Sequence, residues 1–153
     1  MDIWTRASGY INARMRTEKQ LRKYLSDKGF DGSEIDAVVE EFKKYGYIDD
    51  MNYAMLYFEY AFGKGRGMIR IRKELREKGI DPDIIDEAYD MLETDHDEYE
   101  TAEAVGRQVL AGTDTEDLDY REKQKLRARI ARRLAGRGFP ADIVYKVAGR
   151  LVP

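Results

Sequence analysis

The sequence predicts an all-α protein built from three tandem three-helix repeats of helix-turn-helix type. Two observations support this prediction. A motif of one basic residue, one glycine and one large apolar residue occurs three times, and apolar residues recur around each copy at helical spacing. The composition agrees, because the 153 residues include only three prolines and no segment alternates in the manner of a β-strand.

The repeated motif reads Lys28-Gly29-Phe30, Lys78-Gly79-Ile80 and Arg137-Gly138-Phe139. Positions eight and four residues before each glycine are apolar, as are positions six, nine and thirteen residues after it. These offsets place one apolar face on a helix before the glycine and a second on a helix after it. The apolar residues are Leu21, Leu25, Ile35, Val38 and Phe42, then Ile71, Leu75, Ile85, Ala88 and Leu92, and finally Ile130, Leu134, Val144, Val147 and Leu151. Each glycine suits the left-handed turn that ends a helix, so each copy predicts helix, turn, helix.

A further helix precedes each pair and completes the three-helix units. We expect these helices at about 3–14, 50–62 and 98–111, because apolar residues recur there at helical spacing. The glycine-rich segment 63–67 and the polar segment 112–118 are interpreted as connectors, the first as a flexible joint between repeats. The predicted repeats are therefore residues 1–47, 48–95 and 96–153.

Capping residues stand where the predicted helices begin. Thr17, followed three residues later by Gln20, forms a capping box. Asp49 and Asp50 open a helix, where capping and the helix dipole favour carboxylates, so we interpret this pair as structural rather than catalytic. Pro140 leaves the last helix without an aspartate cap. The further N-cap candidates are Asp31 and Asp81, the latter followed by Pro82.

Basic residues form blocks along a chain whose net charge is −3. Residues 6–28 and 64–78 each carry a net charge of +5 and residues 121–137 carry +7, whereas residues 81–119 carry −14. The basic side chains fall opposite the apolar face of the second helix of each repeat, so stacked repeats would align them into a continuous basic stripe. Such a stripe can contact DNA phosphates or acidic protein surfaces, although charges opposite an apolar face are also typical of a merely solvated helix. The stripe residues are Arg16, Lys19, Lys23, Lys64, Arg66, Arg70, Lys73, Arg121, Lys125, Arg129 and Arg132.

Several functional classes are disfavoured by what the sequence contains. The absence of cysteine excludes disulfides and thiol chemistry, and the single histidine, in Asp95-His96-Asp97-Glu98, is a poor metal-site candidate. Gly63-Lys64-Gly65-Arg66-Gly67 lacks the Gly-Lys-Ser/Thr ending of a P-loop. We therefore predict no enzymatic activity, cofactor or metal, and expect a cytoplasmic protein without a membrane span or secretory signal.

Aromatic residues concentrate between the first two glycine motifs. At helical spacing beside apolar residues they favour a place in the core over a base-stacking platform for nucleic acid. The residues are Tyr45, Tyr47, Tyr53, Tyr57, Phe58 and Tyr60.

The chain resembles the RecX family over nearly its whole length. The resemblance rests on Gln20-Leu21 with Lys28-Gly29-Phe30, on Gly46-Tyr47-Ile48-Asp49-Asp50, on Lys64-Gly65-Arg66-Gly67, on Glu74-Leu75 with Lys78-Gly79-Ile80, and on Arg137-Gly138-Phe139. Thr17, Gln20 and Pro140 depart slightly from the family pattern, and none of them removes a helix.

The resemblance implies an elongated, curved array of three-helix repeats that binds in the groove of RecA nucleoprotein filaments. It further implies inhibition of strand exchange and of ATP hydrolysis. We expect a monomer with, at most, weak and non-specific binding to single- or double-stranded DNA. The alternative reading is a helix-turn-helix DNA-binding protein, against which the sequence pI near 5.4 counts.

Overall fold

A computed structural model describes residues 1–92 and 96–153, and every regular element in these ranges is an α-helix. The all-helical fold predicted from the sequence is therefore confirmed. The helices are α1 (Ile3–Ala13), α2 (Glu18–Asp27), α3 (Gly32–Lys44), α4 (Asp50–Gly63), α5 (Met68–Glu77), α6 (Pro82–Asp90), α7 (Glu98–Leu110), α8 (Tyr120–Gly136) and α9 (Ala141–Leu151).

The helices begin and end for local reasons that the sequence predicted. The Thr17 side chain accepts a hydrogen bond from Gln20 N–H and the Gln20 side chain accepts one from Thr17 N–H, so the capping box is present. Asp31 and Asp81 each cap the helix that follows. Pro140 stands at the start of α9 with no side-chain cap.

The chain divides into two compact units. The first comprises Met1–Tyr57 with Glu74–Leu92, and the second comprises Phe58–Lys73 with the described part of Glu93–Pro153. The repeat boundaries at 47/48 and 95/96 stay a prediction, and residues 93–95, which close the second predicted repeat, lie outside the described residues.

Each unit has its own core, to which apolar positions of the repeat contribute. In the first unit, all five such positions of copy one are buried, and Ile3, Ala7, Val39 and Ile48 join them. In the second unit, helices α7, α8 and α9 contribute Ala102, Val105, Val109, Ile130, Leu134, Val144, Val147 and Ala148, with Phe139 from the turn between α8 and α9 and Val152 immediately after α9. Full burial of an aliphatic side chain stabilises a fold by roughly 1.5–3 kcal/mol, so the buried repeat positions contribute substantially to both cores.

The prediction that the aromatic residues form core is wrong for three of the six. Phe58 is fully buried, but Tyr45, Tyr47 and Tyr60 are more than half exposed. Tyr45 and Tyr47 flank the turn after α3, where no helical periodicity assigns a face, and Tyr60 lies on the outer side of α4. Helical spacing alone therefore did not tell which side these rings face.

Candidate partner-binding surface

The third basic block forms the exposed side of α8 in the second unit. Arg121, Lys125, Arg129 and Arg132 are all exposed, whereas Ile130 on the opposite side of the helix is fully buried. The structure thus places these four predicted residues on one outer surface. Their role in binding stays a prediction.

Part of this surface is an open cleft of about 460 Å³, which we call the arginine cleft. Three of its arginines belong to the predicted stripe, and the two others, Arg133 and Arg137, were missed. The lining residues are Arg70, Arg129, Arg132, Arg133, Gly136 and Arg137.

Two glycines bring the start of α5 against the turn after α8 and so build the cleft. Gly67 N–H donates to the Arg137 carbonyl at 2.8 Å, and Ile69 N–H donates to the Gly138 carbonyl at 3.1 Å. A Cβ atom on Gly67 would lie 2.4 Å from the Gly138 carbonyl carbon, and one on Gly138 would lie 2.3 Å from Arg70 Cβ. Only glycines permit this approach, which sets Arg70 beside the arginines of α8.

The same contact overturns the interpretation of segment 63–67 as a flexible joint. Gly67 is packed against backbone, and a Cβ on Gly65 would lie 2.9 Å from Val105 Cγ2. The segment also makes a tight turn, with Arg66 N–H donating to the Ala61 carbonyl at 3.1 Å. At Gly65 and Gly67, glycine is needed for close packing rather than for freedom of movement.

Arg137 links the cleft to the glycine-rich segment 63–67. Its guanidinium Nη1 donates to the Lys64 carbonyl at 2.9 Å, and its backbone N–H donates to the Arg133 and Leu134 carbonyls at 3.1 Å. Arg133 and Arg137 thus stand at the carboxyl end of α8, where the negative end of the helix dipole favours cations. This local field offsets part of the repulsion among the clustered guanidinium groups.

Three arginines of α8 line the cleft beside Arg137. Across residues 1–92 and 96–153, no hydrogen bond or ion pair engages the side chain of Arg129, Arg132 or Arg133. A guanidinium group offers five donors in a fixed fork that matches carboxylate and phosphate oxygens. The cleft therefore has the chemistry of an anion-binding surface.

The stripe residues of the second repeat also lie in the second unit. Lys64 and Lys73 are exposed, while Arg66 and Arg70 are partly buried. The Lys64 ammonium group and the Arg66 guanidinium group lie 5.7 and 5.5 Å from the centre of the Tyr60 ring. Cation–π contact with an exposed tyrosine thus orients two of these basic side chains.

The stripe residues of the first repeat lie in the first unit, and each has a local structural contact. The Arg16 guanidinium group stacks 4.0 Å above the Tyr10 ring, and its Nε donates to the Tyr10 carbonyl at 3.3 Å. Lys23 pairs with Asp27 at 2.9 Å, one helical turn away. The Lys19 side chain covers Gly79, where an added Cβ would lie 2.3–2.8 Å from its carbons. These contacts give Arg16, Lys19 and Lys23 a structural role whether or not they bind a partner.

Carboxylates at the start of one repeat cap the second helix of the repeat before it. Asp49 caps its own helix α4 by accepting from Asn52 N–H at 3.0 Å, but Asp50 accepts from Glu18 N–H of α2 at 3.0 Å. In the second unit, Glu98 accepts in the same way from Met68 N–H of α5 at 3.2 Å. Burial raises the pKa of both the Asp50 and the Glu98 carboxyl, and these amide contacts oppose the shift.

The motif glycines Gly29, Gly79 and Gly138 have left-handed backbone, with φ of 91°, 94° and 94°. Gly79 and Gly138 also touch the helix start of the preceding repeat, whereas at Gly29 an added Cβ would meet no atom of the described residues within 4 Å beyond its chain neighbours. The second and third motifs are thus both turns and contact points between repeats, and the first is a turn alone.

His96 lies in a stacked pair rather than in a ligand set. Its ring is parallel to that of Phe62 with the centroids 3.4 Å apart, and its Nε2 is buried without a hydrogen-bond partner among the described residues. Burial lowers the pKa of the imidazole. Nowhere in the described ranges do three His, Cys, Asp or Glu side chains group to hold a metal ion, and Asp95 lies outside those ranges. None of the described helices is long and apolar enough to cross a membrane.

Helix pairs joined by glycine turns, repeated along the chain, define the class of helical-repeat proteins. Comparison with known proteins then gives the family. The model for the first three-helix domain of RecX matches residues 4–42, and the model for the second matches residues 49–88. The chain belongs to the RecX family.

Individual relatives agree with this assignment. The Regulatory protein RecX of Haemophilus influenzae is 31% identical over 143 residues, which cover 92% of this chain and 88% of that protein. That of Clostridium acetobutylicum is 31% identical over 135 residues, covering 88% of this chain but 62% of the relative. This chain therefore spans about three fifths of the length of the clostridial relatives. The crystal structure of RecX from Lactobacillus salivarius has the same fold, with a TM-score of 0.81, 23% identity, and coverage of 97% and 94% of the two chains.

Proposed function

We propose that the chain is a non-enzymatic regulator that binds in the groove of RecA nucleoprotein filaments. There it inhibits recombinase and ATPase activity and filament growth. Its membership in a family of proteins named regulatory proteins supports this role, and the RecA partner follows from the family resemblance. The setting is DNA repair, recombination and the SOS response in the cytoplasm, with the chain acting as a monomer.

The observation that carries the proposal on the molecule itself is the arginine cleft. A nucleoprotein filament presents both phosphates and carboxylates, and the cleft offers guanidinium groups suited to either. Arg129 and Arg132 are its best-exposed predicted members. The remaining stripe residues extend the contact in this proposal.

The test is ATP hydrolysis by the cognate RecA on single-stranded DNA, with this chain titrated below the RecA concentration. We expect the wild-type chain to suppress turnover and a variant with Arg129→Glu and Arg132→Glu to lose on the order of tenfold in potency. A variant with Arg14→Glu and Lys28→Glu is the matched control, because it makes the same change in net charge at exposed sites outside the cleft. It is expected to inhibit as the wild type does.

Equal inhibition by both double variants would contradict a role for the cleft. A wild-type chain that leaves turnover unchanged but retards DNA by itself would favour the alternative, a helix-turn-helix DNA-binding protein. One high-affinity duplex site with low salt sensitivity would support that alternative, because non-specific binding to phosphates weakens steeply with salt as counterions are released.

A further inference from the structure

An apolar groove of about 340 Å³ lies between α8 and α9, beside the arginine cleft. Phe139 and Val144 are buried at its base, and Tyr145 stands 73% exposed at its rim. The three alanines of the lining add methyl groups and no hydrogen-bonding side chain. The full lining is Ala131, Arg132, Ala135, Phe139, Ala141, Val144 and Tyr145.

The groove and the cleft meet at Arg132, which lines both. Ala135, Arg132 and Arg129 follow one another at three-residue intervals on α8, and such positions are about 60° apart around a helix and about 4.5 Å apart along it. Around the helix, Ala135 therefore faces the groove, Arg129 faces the cleft, and Arg132 lies between them. A single extended or helical segment can contact both.

We propose that the two together form a docking site for an acidic peptide segment of a partner protein. The cleft takes carboxylates of the segment, and the groove takes one bulky apolar side chain that the carboxylates flank. This proposal adds the chemistry of the contact to the proposed function. It rests on the proposed function only for the identity of the protein that supplies the segment.

Charge complementarity favours a peptide over other occupants. The guanidinium groups of Arg129, Arg132 and Arg133, which make no hydrogen bond or ion pair with the described residues, favour anions, and carboxylates form paired hydrogen bonds with such groups. An apolar pocket with tyrosine and arginine at its rim is typical of the anchor points that carry most of the energy in protein interfaces. A nucleic-acid backbone would use the cleft alone, because the methyl groups of the groove offer its phosphates nothing to bind.

The test is fluorescence anisotropy of a short labelled peptide in which glutamates flank one leucine, titrated with the whole chain. We expect Ala135→Gln, which fills the groove without adding charge, to weaken binding on the order of tenfold, and Arg132→Glu at least as much. Ala128→Gln is the matched control, because Ala128 is equally an exposed alanine of α8 but lines neither cavity. It is expected to leave binding unchanged. Replacing the peptide leucine with serine is expected to match the effect of Ala135→Gln.

A labelled oligothymidylate run beside the peptide separates the two classes of ligand. Peptide binding that responds to Arg132→Glu but not to Ala135→Gln or to loss of the leucine would overturn the proposal, since it would show a purely ionic surface. Tighter binding of oligothymidylate than of peptide would also overturn it, in favour of nucleic acid. Circular dichroism confirms that each variant is folded. No recombinase is present, so a failure here is distinguishable from a failure of filament regulation.

Discussion

The contact that builds the arginine cleft is tested most sharply by Gly138→Ala. The substitution has two separable costs. Gly138 has φ of 94°, a conformation that a side chain disfavours by about 1–2 kcal/mol. The new methyl group would also lie 2.3 Å from Arg70 Cβ and 2.7 Å from Arg70 N, so that backbone must move. Overpacking of this kind costs about 1–3 kcal/mol. We therefore expect a total loss of about 2–5 kcal/mol in the free energy of unfolding.

Gly112→Ala isolates the second cost. Gly112 lies in the same unit and has φ of 79°, but an added Cβ would meet no atom of the described residues within 4 Å beyond its chain neighbours. It should lose only the conformational part, about 1–2 kcal/mol. Urea unfolding followed by circular dichroism measures both variants, and the comparison is valid where the denaturant slope is unchanged. Equal losses for Gly138→Ala and Gly112→Ala would refute the reasoning, because the close approach would then contribute nothing.

Three further predictions concern single side chains. Asp50→Ala should lower the free energy of unfolding by about 1–2 kcal/mol through loss of the cap on Glu18 N–H, and Asp50→Asn by less, because an amide oxygen still accepts; urea unfolding measures both. The protein should lose stability as pH falls below about 6.5 towards the lowered pKa of His96 in the folded state, because the unfolded chain takes up the proton more readily. Thermal melts at several pH values should show that the melting temperature of His96→Gln depends less on pH than that of the wild type. An unchanged pH dependence would contradict the burial of this ring. Phe58→Ala should cost about 3–5 kcal/mol, since the ring is fully buried, and a loss below 1 kcal/mol in urea unfolding would contradict that burial.

Local features of the fold were predictable from the sequence because their causes lie within a few residues. The capping box of Thr17 and Gln20, the caps at Asp31 and Asp81, and the missing cap at Pro140 all depend on neighbours in the chain. The apolar offsets around each glycine likewise identified the buried faces of the helix pairs. Helical periodicity reports these faces directly.

The parts that were not predictable depend on residues distant in sequence. Asp50 and Glu98 read as first-turn carboxylates of their own helices, yet they cap helices that begin 32 and 30 residues earlier. Arg70 lies beside the arginines of α8 only because Gly67 contacts the turn after α8, which no spacing within either helix indicates. Arg133 and Arg137 could have been predicted from the sequence, since they follow Arg129 at four-residue intervals along α8 and its C-cap.

In the proposed function, the arginine cleft joins this chain to RecA filaments. Co-sedimentation with preformed RecA filaments on single-stranded DNA tests it most directly, with the wild type compared with the Arg129→Glu, Arg132→Glu variant and the Arg14→Glu, Lys28→Glu control. We expect the wild type and the control to enter the pellet while the cleft variant stays in the supernatant. A cleft variant that pellets as fully as the wild type would contradict a role for the cleft in filament binding.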